Sequence, residues 1–91
     1  MLTIQITNQF KKDLKKFNRN QKVIQELDSV VRKLLHEKIL EPKYCDHPLT
    51  GQWKTSRDCH IRPNILLIYR IEKKSKVLIL ERLGSHAELF K

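Results

Sequence analysis

The first part of the chain changes from an alternating to a helical pattern of apolar residues. A short strand is predicted over residues 2–6, where apolar and polar residues alternate. Thr7 or Asn8 can then cap a helix. The lysines of that helix lie mostly on one face. Its apolar residues, spaced by four and three positions, lie on the opposite face: Phe10, Leu14 and Phe17.

A longer helix is predicted after the polar break at residues 18–20. One continuous apolar stripe defines its buried face: Val23, Ile24, Leu27, Val30, Val31, Leu34 and Leu35. We expect this helix to end near Leu40, because Pro42 disfavours helical geometry for the residue before it. His36 lies beside the stripe and is expected at the surface. The two amphipathic helices, separated by a short break, predict a helical hairpin.

The second half of the chain has the two-residue period of strands. Residues 53–61 alternate, so Ser56, Asp58 and His60 are expected to share one face of a strand. Trp53 and Cys59 fall on the other face, and Trp53 is expected in the core.

Two more strands complete the predicted sheet. Residues 65–71 are almost wholly apolar, which predicts a central strand covered on both faces, and residues 77–83 form the last strand. Gly84 is expected to turn the chain through a positive φ before a single turn over residues 86–91. The order β-α-α-β-β-β predicts one α+β domain over residues 1–91, with an antiparallel sheet covered by the helical hairpin.

Charge and composition narrow the cellular context. Nineteen Lys and Arg against ten Asp and Glu give a net charge of +9, which suits a polyanionic partner or simply a well-solvated surface. The longest apolar run is far too short to cross a membrane, and the first residues lack the layout of a signal peptide. We therefore expect a cytoplasmic protein in which Cys45 and Cys59 are reduced thiols.

Three histidines and one arginine follow the helical half and are candidates for acid–base chemistry: His47, His60, Arg82 and His86. RNA can be cut by its own 2′-hydroxyl if one group removes the hydroxyl proton and another protonates the leaving oxygen. Histidine suits both roles near neutral pH, and arginine can hold two phosphate oxygens while staying charged. Any one of these histidines alone is more often structural or merely exposed.

Three ordered segments of this sequence match a known family. Residues 46–54 (DHPLTGQWK) are similar to a "DHPLxGxWK" segment, and residues 57–63 (RDCHIRP) to "RDxHxxP". Residues 66–69 match the apolar strand that follows, and residues 81–90 (ERLGSHAELF) resemble a closing "RxGxHxxLF". On these segments the chain resembles the YafQ-type toxins of the RelE/ParE superfamily. Before residue 46 the likeness rests on the order of elements alone.

This resemblance implies a function and a set of roles. Such toxins enter the ribosomal A site and cut mRNA by 2′-hydroxyl attack, without a metal or other cofactor, and a cognate antitoxin holds them inactive. His86 would be the main proton-transfer residue, with His47 and His60 as base or phosphate-binding partners. Arg82 would stabilise charge on the scissile phosphate. Phe90 would either stack on a base or pin the end of the chain to the sheet.

Substrate contacts are expected from Lys54, which shares the His60 face, and from Asn64. The family often has an aspartate where this chain has Asn64. Asparagine cannot act as a base, although it can still form hydrogen bonds with a phosphate or a ribose. If a carboxylate is needed, Asp46 or Asp58 can take its place.

Other functions remain open at this point. A ParE-like relative uses a similar scaffold to poison DNA gyrase without cutting RNA, and a basic RNA-binding module would also explain the charge. A further alternative is a metal site built from Cys45, His47, Cys59 and His60. No two of these residues have the spacing that pairs of ligands usually have in structural zinc sites.

Overall fold

The computed structural model describes residues 1–53 and 55–90, without the side chain of Gln52. Its strands are β1 (Thr3–Ile6), β2 (His47–Pro48), β3 (Arg57–Arg62), β4 (Ile65–Glu72) and β5 (Val77–Gly84). Its helices are α1 (Asn8–Lys15), α2 (Gln21–Leu35) and α3 (His86–Leu89), and 3₁₀ turns lie at Pro42–Tyr44 and Gly51–Trp53. In these residues no helix is long and apolar enough to cross a membrane.

The five strands form one sheet in the order β1-β5-β4-β3-β2. All neighbours are antiparallel except β1 and β5, which run parallel with Thr3 opposite Val77. The predicted sheet was therefore wrong in one respect, since it is mixed. The α+β class itself is confirmed. The parallel pair arises because the chain crosses over through the helices and β2–β4 before β5 returns beside β1.

Both long helices begin where the sequence predicts. Thr7 accepts a hydrogen bond from the Phe10 amide at 2.9 Å, and Asn20 caps α2 in the same way at 3.2 Å. The predicted end of α2 near Leu40 was wrong, because the helix stops at Leu35. The chain leaves it through a left-handed residue at position 37, which lets Leu40 return to the core. His36 is exposed, as expected.

The sheet has an apolar cluster on each face. The larger one lies under α1 and α2 and includes Phe10, Leu27, Val30, Leu34, Cys59, Ile61, Leu67, Tyr69, Leu78 and Leu80. The smaller one, on the open face, contains Leu66, Ile68 and Leu89, with Leu49, Trp53 and Phe90 packed against it. Strand β4 contributes to both clusters, which confirms that it is central and covered on both sides. Trp53 packs against an apolar cluster, as predicted, but its predicted strand position on the Cys59 face was wrong. It ends a 3₁₀ turn and packs on the open face, whereas Cys59 lies in the larger cluster.

Two local predictions need correction. Strand β3 begins at Arg57 and not at Trp53, because Trp53 ends a 3₁₀ turn and its carbonyl accepts a hydrogen bond from the Ser56 amide at 2.8 Å. Gly84 does not have a positive φ. A Cβ there would lie 3.3 Å from Oε1 of Glu88, a tight contact, so glycine leaves room for the Glu88 carboxylate at the start of α3.

Candidate active site

Strands β2 and β3 place His47 directly opposite Asp58. His60 lies two residues further along β3 and therefore shares the face of Asp58. Their partners on β4 are Ile68 and Leu66, both members of the open-face cluster. The predicted alternation is confirmed within β3, and it puts Asp58 and His60 on the side of the sheet that the long helices leave uncovered.

The carboxylate of Asp58 is the centre of the site. Asp58 is only 4% exposed, and its Oδ1 lies 3.0 Å from Nδ1 of His47. That oxygen has no aligned hydrogen-bond donor among the described residues. Burial raises the pKa of Asp58, and the nearby His47, His60 and His86 oppose this rise. The structure thus brings three predicted histidines within electrostatic range of one buried carboxylate.

His60 and His86 line a common cleft of about 390 Å³, which also contains Asn64. The other residues lining this histidine cleft are Pro63, Leu66, Ser85 and Ala87. Three of the predicted site residues therefore lie around one open space, at the end of the sheet where β3 turns into β4 and where β5 ends.

Helix α3 holds His86 in place. Its N-cap is Ser85, whose hydroxyl accepts from the Glu88 amide at 3.2 Å while Glu88 accepts from the Ser85 amide at 2.9 Å. His86 is the first residue of the helix, and its ring centroid lies 4.9 Å from that of Phe90. Phe90 also packs against the open-face cluster, so it contacts both the candidate catalytic ring and the sheet.

Arg82 does not line the histidine cleft. Its guanidinium donates to the carboxylate of Asp13 on α1, from Nε to Oδ2 at 2.8 Å and from Nη2 to Oδ1 at 3.3 Å. The same Oδ2 accepts from the Leu83 amide at 2.9 Å. Burial tends to raise the pKa of Asp13, but the bonds from Arg82 and Leu83 outweigh it and lower the pKa. Asp13 therefore stays ionised and holds Arg82 at the edge of β5 beyond the end of β1.

Sequence reasoning missed Asp13 and underrated Asp58. Asp58 was considered only as a substitute carboxylate, although its place on the His60 face was readable from the alternation. The other substitute, Asp46, accepts from Arg57 and from the Tyr69 hydroxyl, and so belongs to the helical side of the sheet. Lys54, predicted to contact substrate, lies outside the described residues.

The four residues of the alternative metal site do not share one side of the sheet. Cys59 is buried in the larger cluster, where burial raises the pKa of its thiol, and His60 points to the opposite face. Within residues 1–53 and 55–90 no group of three or more His, Cys, Asp or Glu is arranged to hold a metal ion.

Comparison with known proteins decides the family. The family model described as "Bacterial toxin of type II toxin-antitoxin system, YafQ" matches residues 2–91. The chain belongs to the YafQ family.

Named YafQ relatives match along nearly the whole chain. The mRNA interferase toxin YafQ of Escherichia coli K12 is 38% identical over 88 residues, covering 96% of this chain and 94% of that protein. The crystal structure of a metal-bound toxin from Helicobacter pylori is 49% identical, with a TM-score of 0.91 and coverage of 99% and 100% of the two chains. YafQ in the E. coli DinJ–YafQ toxin–antitoxin complex is 36% identical, with a TM-score of 0.85 and coverage of 99% and 98%.

The YafQ family match confirms the interpretation drawn from residues 46–90. The fold is that of solved YafQ structures. The chain is a toxin of the type II class, and its enzyme class is that of the mRNA interferases, which are endoribonucleases. These findings favour the main interpretation over a ParE-like poison of DNA gyrase.

Proposed function

We propose that residues 1–91 act as one toxin domain that cleaves mRNA on the ribosome, in the cytoplasm, until a cognate antitoxin binds it. The observation that carries this proposal is the group of three histidines around buried Asp58, two of them lining an open cleft. The mRNA interferase names of relatives support mRNA as the substrate. The net charge of +9 supports a site of action on the ribosome, which is a polyanion.

The proposed reaction is an internal phosphoryl transfer. A general base removes the proton of the 2′-hydroxyl, and the 2′-oxygen forms a bond to the adjacent phosphorus. The bond between phosphorus and the 5′-oxygen breaks, and a general acid gives that oxygen a proton. The products are one RNA fragment that ends in a 2′,3′-cyclic phosphate and another that begins with a 5′-hydroxyl.

His86 is the proposed main proton-transfer residue, and His47 and His60 supply the second proton-transfer group or bind the phosphate. His60 and His86 both line the histidine cleft, which supports a scissile phosphate bound there. His47 lies on the neighbouring strand β2, opposite Asp58, with its Nδ1 beside the Asp58 carboxylate. Nε2, the ring nitrogen away from the carboxylate, is the one proposed to act on the substrate.

Arg82 is proposed to stabilise the extra charge of the phosphorane. Asp13 engages Nε and Nη2, and a guanidinium has further N–H groups with which to donate to a phosphate oxygen. Since Arg82 does not line the histidine cleft, this role requires the phosphate to extend from the cleft to the edge of β5, where the buried and ionised Asp13 holds the guanidinium in place.

The remaining substrate contacts are proposed for Lys54, Asn64 and Phe90. Asn64 lines the histidine cleft and can donate a hydrogen bond to a phosphate or a ribose. Phe90 keeps one side of its ring against the open-face cluster, and the proposed stacking on a base uses the rest of the ring. An antitoxin partner is proposed by likeness to the E. coli toxin–antitoxin complex.

The test uses purified ribosomes programmed with a defined mRNA. Wild type is expected to cut the message once bound and to leave a 2′,3′-cyclic phosphate. His86→Ala is expected to be slower by about 100-fold or more. His36→Ala is the matched control, since this exposed histidine at the end of α2 lies outside the site. A wild type that never cuts contradicts the activity, and full cleavage by His86→Ala contradicts the assigned role.

A further inference from the structure

A second cavity adjoins the histidine cleft. This outer pocket has a volume of about 440 Å³, and its walls include Glu26, Lys43, Tyr44, His60, Arg62 and Pro63. His60 and Pro63 border the histidine cleft as well. The two spaces therefore meet at one histidine, at the end of β3.

The outer pocket exists because the sheet edge is incomplete. Strand β2 pairs only with Arg57 and Asp58, so among the described residues no strand covers the outer side of β3 beyond Asp58. The 3₁₀ turn Pro42–Tyr44 and helix α2 flank the gap. The buried Tyr44 donates its hydroxyl to Oε2 of Glu26 at 3.1 Å, which fixes the inner wall.

The rim of the outer pocket is basic. Lys43 and Arg62 are both exposed, and neither takes part in a salt bridge within the described part of the chain. A smaller cavity of about 160 Å³ continues the groove past Arg62 and Glu26 to Lys22 on α2. Exposed cations along a groove attract a polyanion, whereas the carboxylate of Glu26 repels phosphate from the inner wall.

We propose that the outer pocket binds the nucleotide next to the scissile one, a subsite that rests on the proposed cleavage of mRNA. Lys43 and Arg62 hold its phosphate at the rim. Its base enters the pocket, where Glu26 can accept a hydrogen bond from an exocyclic amino group. An RNA strand lying between His60 and His86 has to leave the cleft past one of its walls, and the His60 wall leads directly into this basic groove.

Binding to ribosomes programmed with uncleavable mRNA tests the subsite. The mRNA carries a 2′-O-methyl group at the scissile nucleotide, and each flanking phosphate is replaced in turn by a neutral methylphosphonate. For wild type, one replacement is expected to weaken binding about tenfold. The double variant K43A/R62A is expected to bind the unmodified strand about tenfold more weakly than wild type does. Its affinity should fall by less than a further twofold when the same phosphate is replaced, because the two changes remove the same contact. The charge-conserving variant K43R/R62K is expected to bind like wild type.

The matched control removes two lysines elsewhere. Lys73 and Lys74 lie in the turn at the far end of β4, about 25 Å from the β3–β4 turn for an eight-residue strand. K73A/K74A is expected to keep the tenfold effect of the methylphosphonate.

Two results would overturn the subsite. One is wild-type RNA binding by K43A/R62A, and if that variant also binds the antitoxin more weakly, the pocket is a protein interface. The other is independent, multiplying losses of binding from the variant and from the methylphosphonate. Cleavage of unmodified mRNA by wild type is scored separately, so failure of the nuclease proposal is distinguishable from failure of the subsite.

Discussion

At the scale of single residues, the Asp58 carboxylate is the group that interacts electrostatically with all three histidines of the site. A carboxylate that is 4% exposed and lacks an aligned donor on Oδ1 costs folding free energy when it is ionised. His47 at 3.0 Å is the nearest positive partner if its ring is protonated. We infer that this carboxylate is kept for its effect on the histidines and not for stability.

Asp58→Asn is therefore expected to stabilise the protein and to slow cleavage. The pKa of Asp58 is raised in the folded state, so the stability contributed by its neutral form is present below the unfolded pKa of about 3.9 and is lost as pH rises through the folded pKa. Asparagine is neutral at every pH. Urea unfolding should show a more stable variant at pH 7 and a smaller difference at pH 4, while mRNA cleavage falls about 100-fold.

The control for this variant is Asp28→Asn, which neutralises an exposed carboxylate on α2. A variant Asp58→Asn that is less stable than wild type at pH 7, or that cuts at the wild-type rate, would contradict the proposed role of the carboxylate.

Asn64→Asp restores the residue that the family often has in the histidine cleft. The new carboxylate would lie beside His60 and His86, where it can orient a histidine or accept a proton. Cleavage is expected to stay the same or to rise by up to about tenfold. Initial rates on programmed ribosomes measure this, with Asn18→Asp in the loop after α1 as the matched charge change. A large loss of cleavage in Asn64→Asp alone would be the contrary result.

Some residues of the site could be predicted and others could not. The two-residue period placed Asp58 and His60 on one face, because side-chain direction in a strand depends only on near neighbours. The partner of Arg82 could not be found in this way, since Asp13 is 69 residues away in the sequence. The pattern of α1 shows that Asp13 is a charged residue on the buried face, but it does not show which residue pairs with it. The same limit applied to His47, whose position opposite Asp58 depends on a two-residue strand without a pattern of its own.

At the scale of elements, α3 is the shortest α-helix of the described residues and the one that a single substitution can most easily unfold. It has four residues, and its capping box between Ser85 and Glu88 satisfies amides that so short a helix cannot bond itself. His86 and Phe90 both depend on it for their positions. Any loss of order in α3 should therefore reach the site directly.

Ser85→Ala is expected to lower the free energy of unfolding by about 1 kcal/mol and cleavage by about tenfold. Asn20→Ala removes the cap of α2 and is the matched control, because it should cost about the same stability without a change in cleavage. Chemical denaturation and cleavage rates measure both effects. Equal loss of cleavage in the two variants would mean that Ser85 acts through stability alone.

The pairing of elements was harder to predict than the elements themselves. The periods of three to four and of two residues located α1, α2, β4 and β5, because each pattern is local. The parallel pairing of β1 with β5 joins residues more than seventy positions apart, and no local pattern specifies it. The early end of α2 depends on the return of Leu40 to the core, which is also a tertiary requirement.

At the scale of the whole molecule, the Asp13–Arg82 pair joins the first helix to the last strand. The Asp13 carboxylate has a lowered pKa in the folded state, so it contributes stability above its unfolded pKa of about 3.9. That contribution is lost as pH falls through the folded pKa. The pair thus ties the fold and the position of Arg82 to the same carboxylate.

Asp13→Asn is expected to destabilise the protein by about 3 kcal/mol at pH 7, because it removes one partner of a buried ion pair. The difference from wild type should shrink as pH falls below the unfolded pKa of about 3.9 and through the lowered pKa of folded Asp13. Urea unfolding across this range measures it. A constant difference at every pH would show that packing and not charge is responsible.

The central claim is that the three histidines near Asp58 cut mRNA during translation. The most direct measurement is to induce wild type, His86→Ala and His36→Ala separately in cells and to map mRNA 5′ ends in the first minutes. New ends in frame with codons are expected for wild type and His36→Ala, together with growth arrest, and neither effect is expected for His86→Ala. Growth arrest without new ends, or equal cutting by His86→Ala, would contradict the claim.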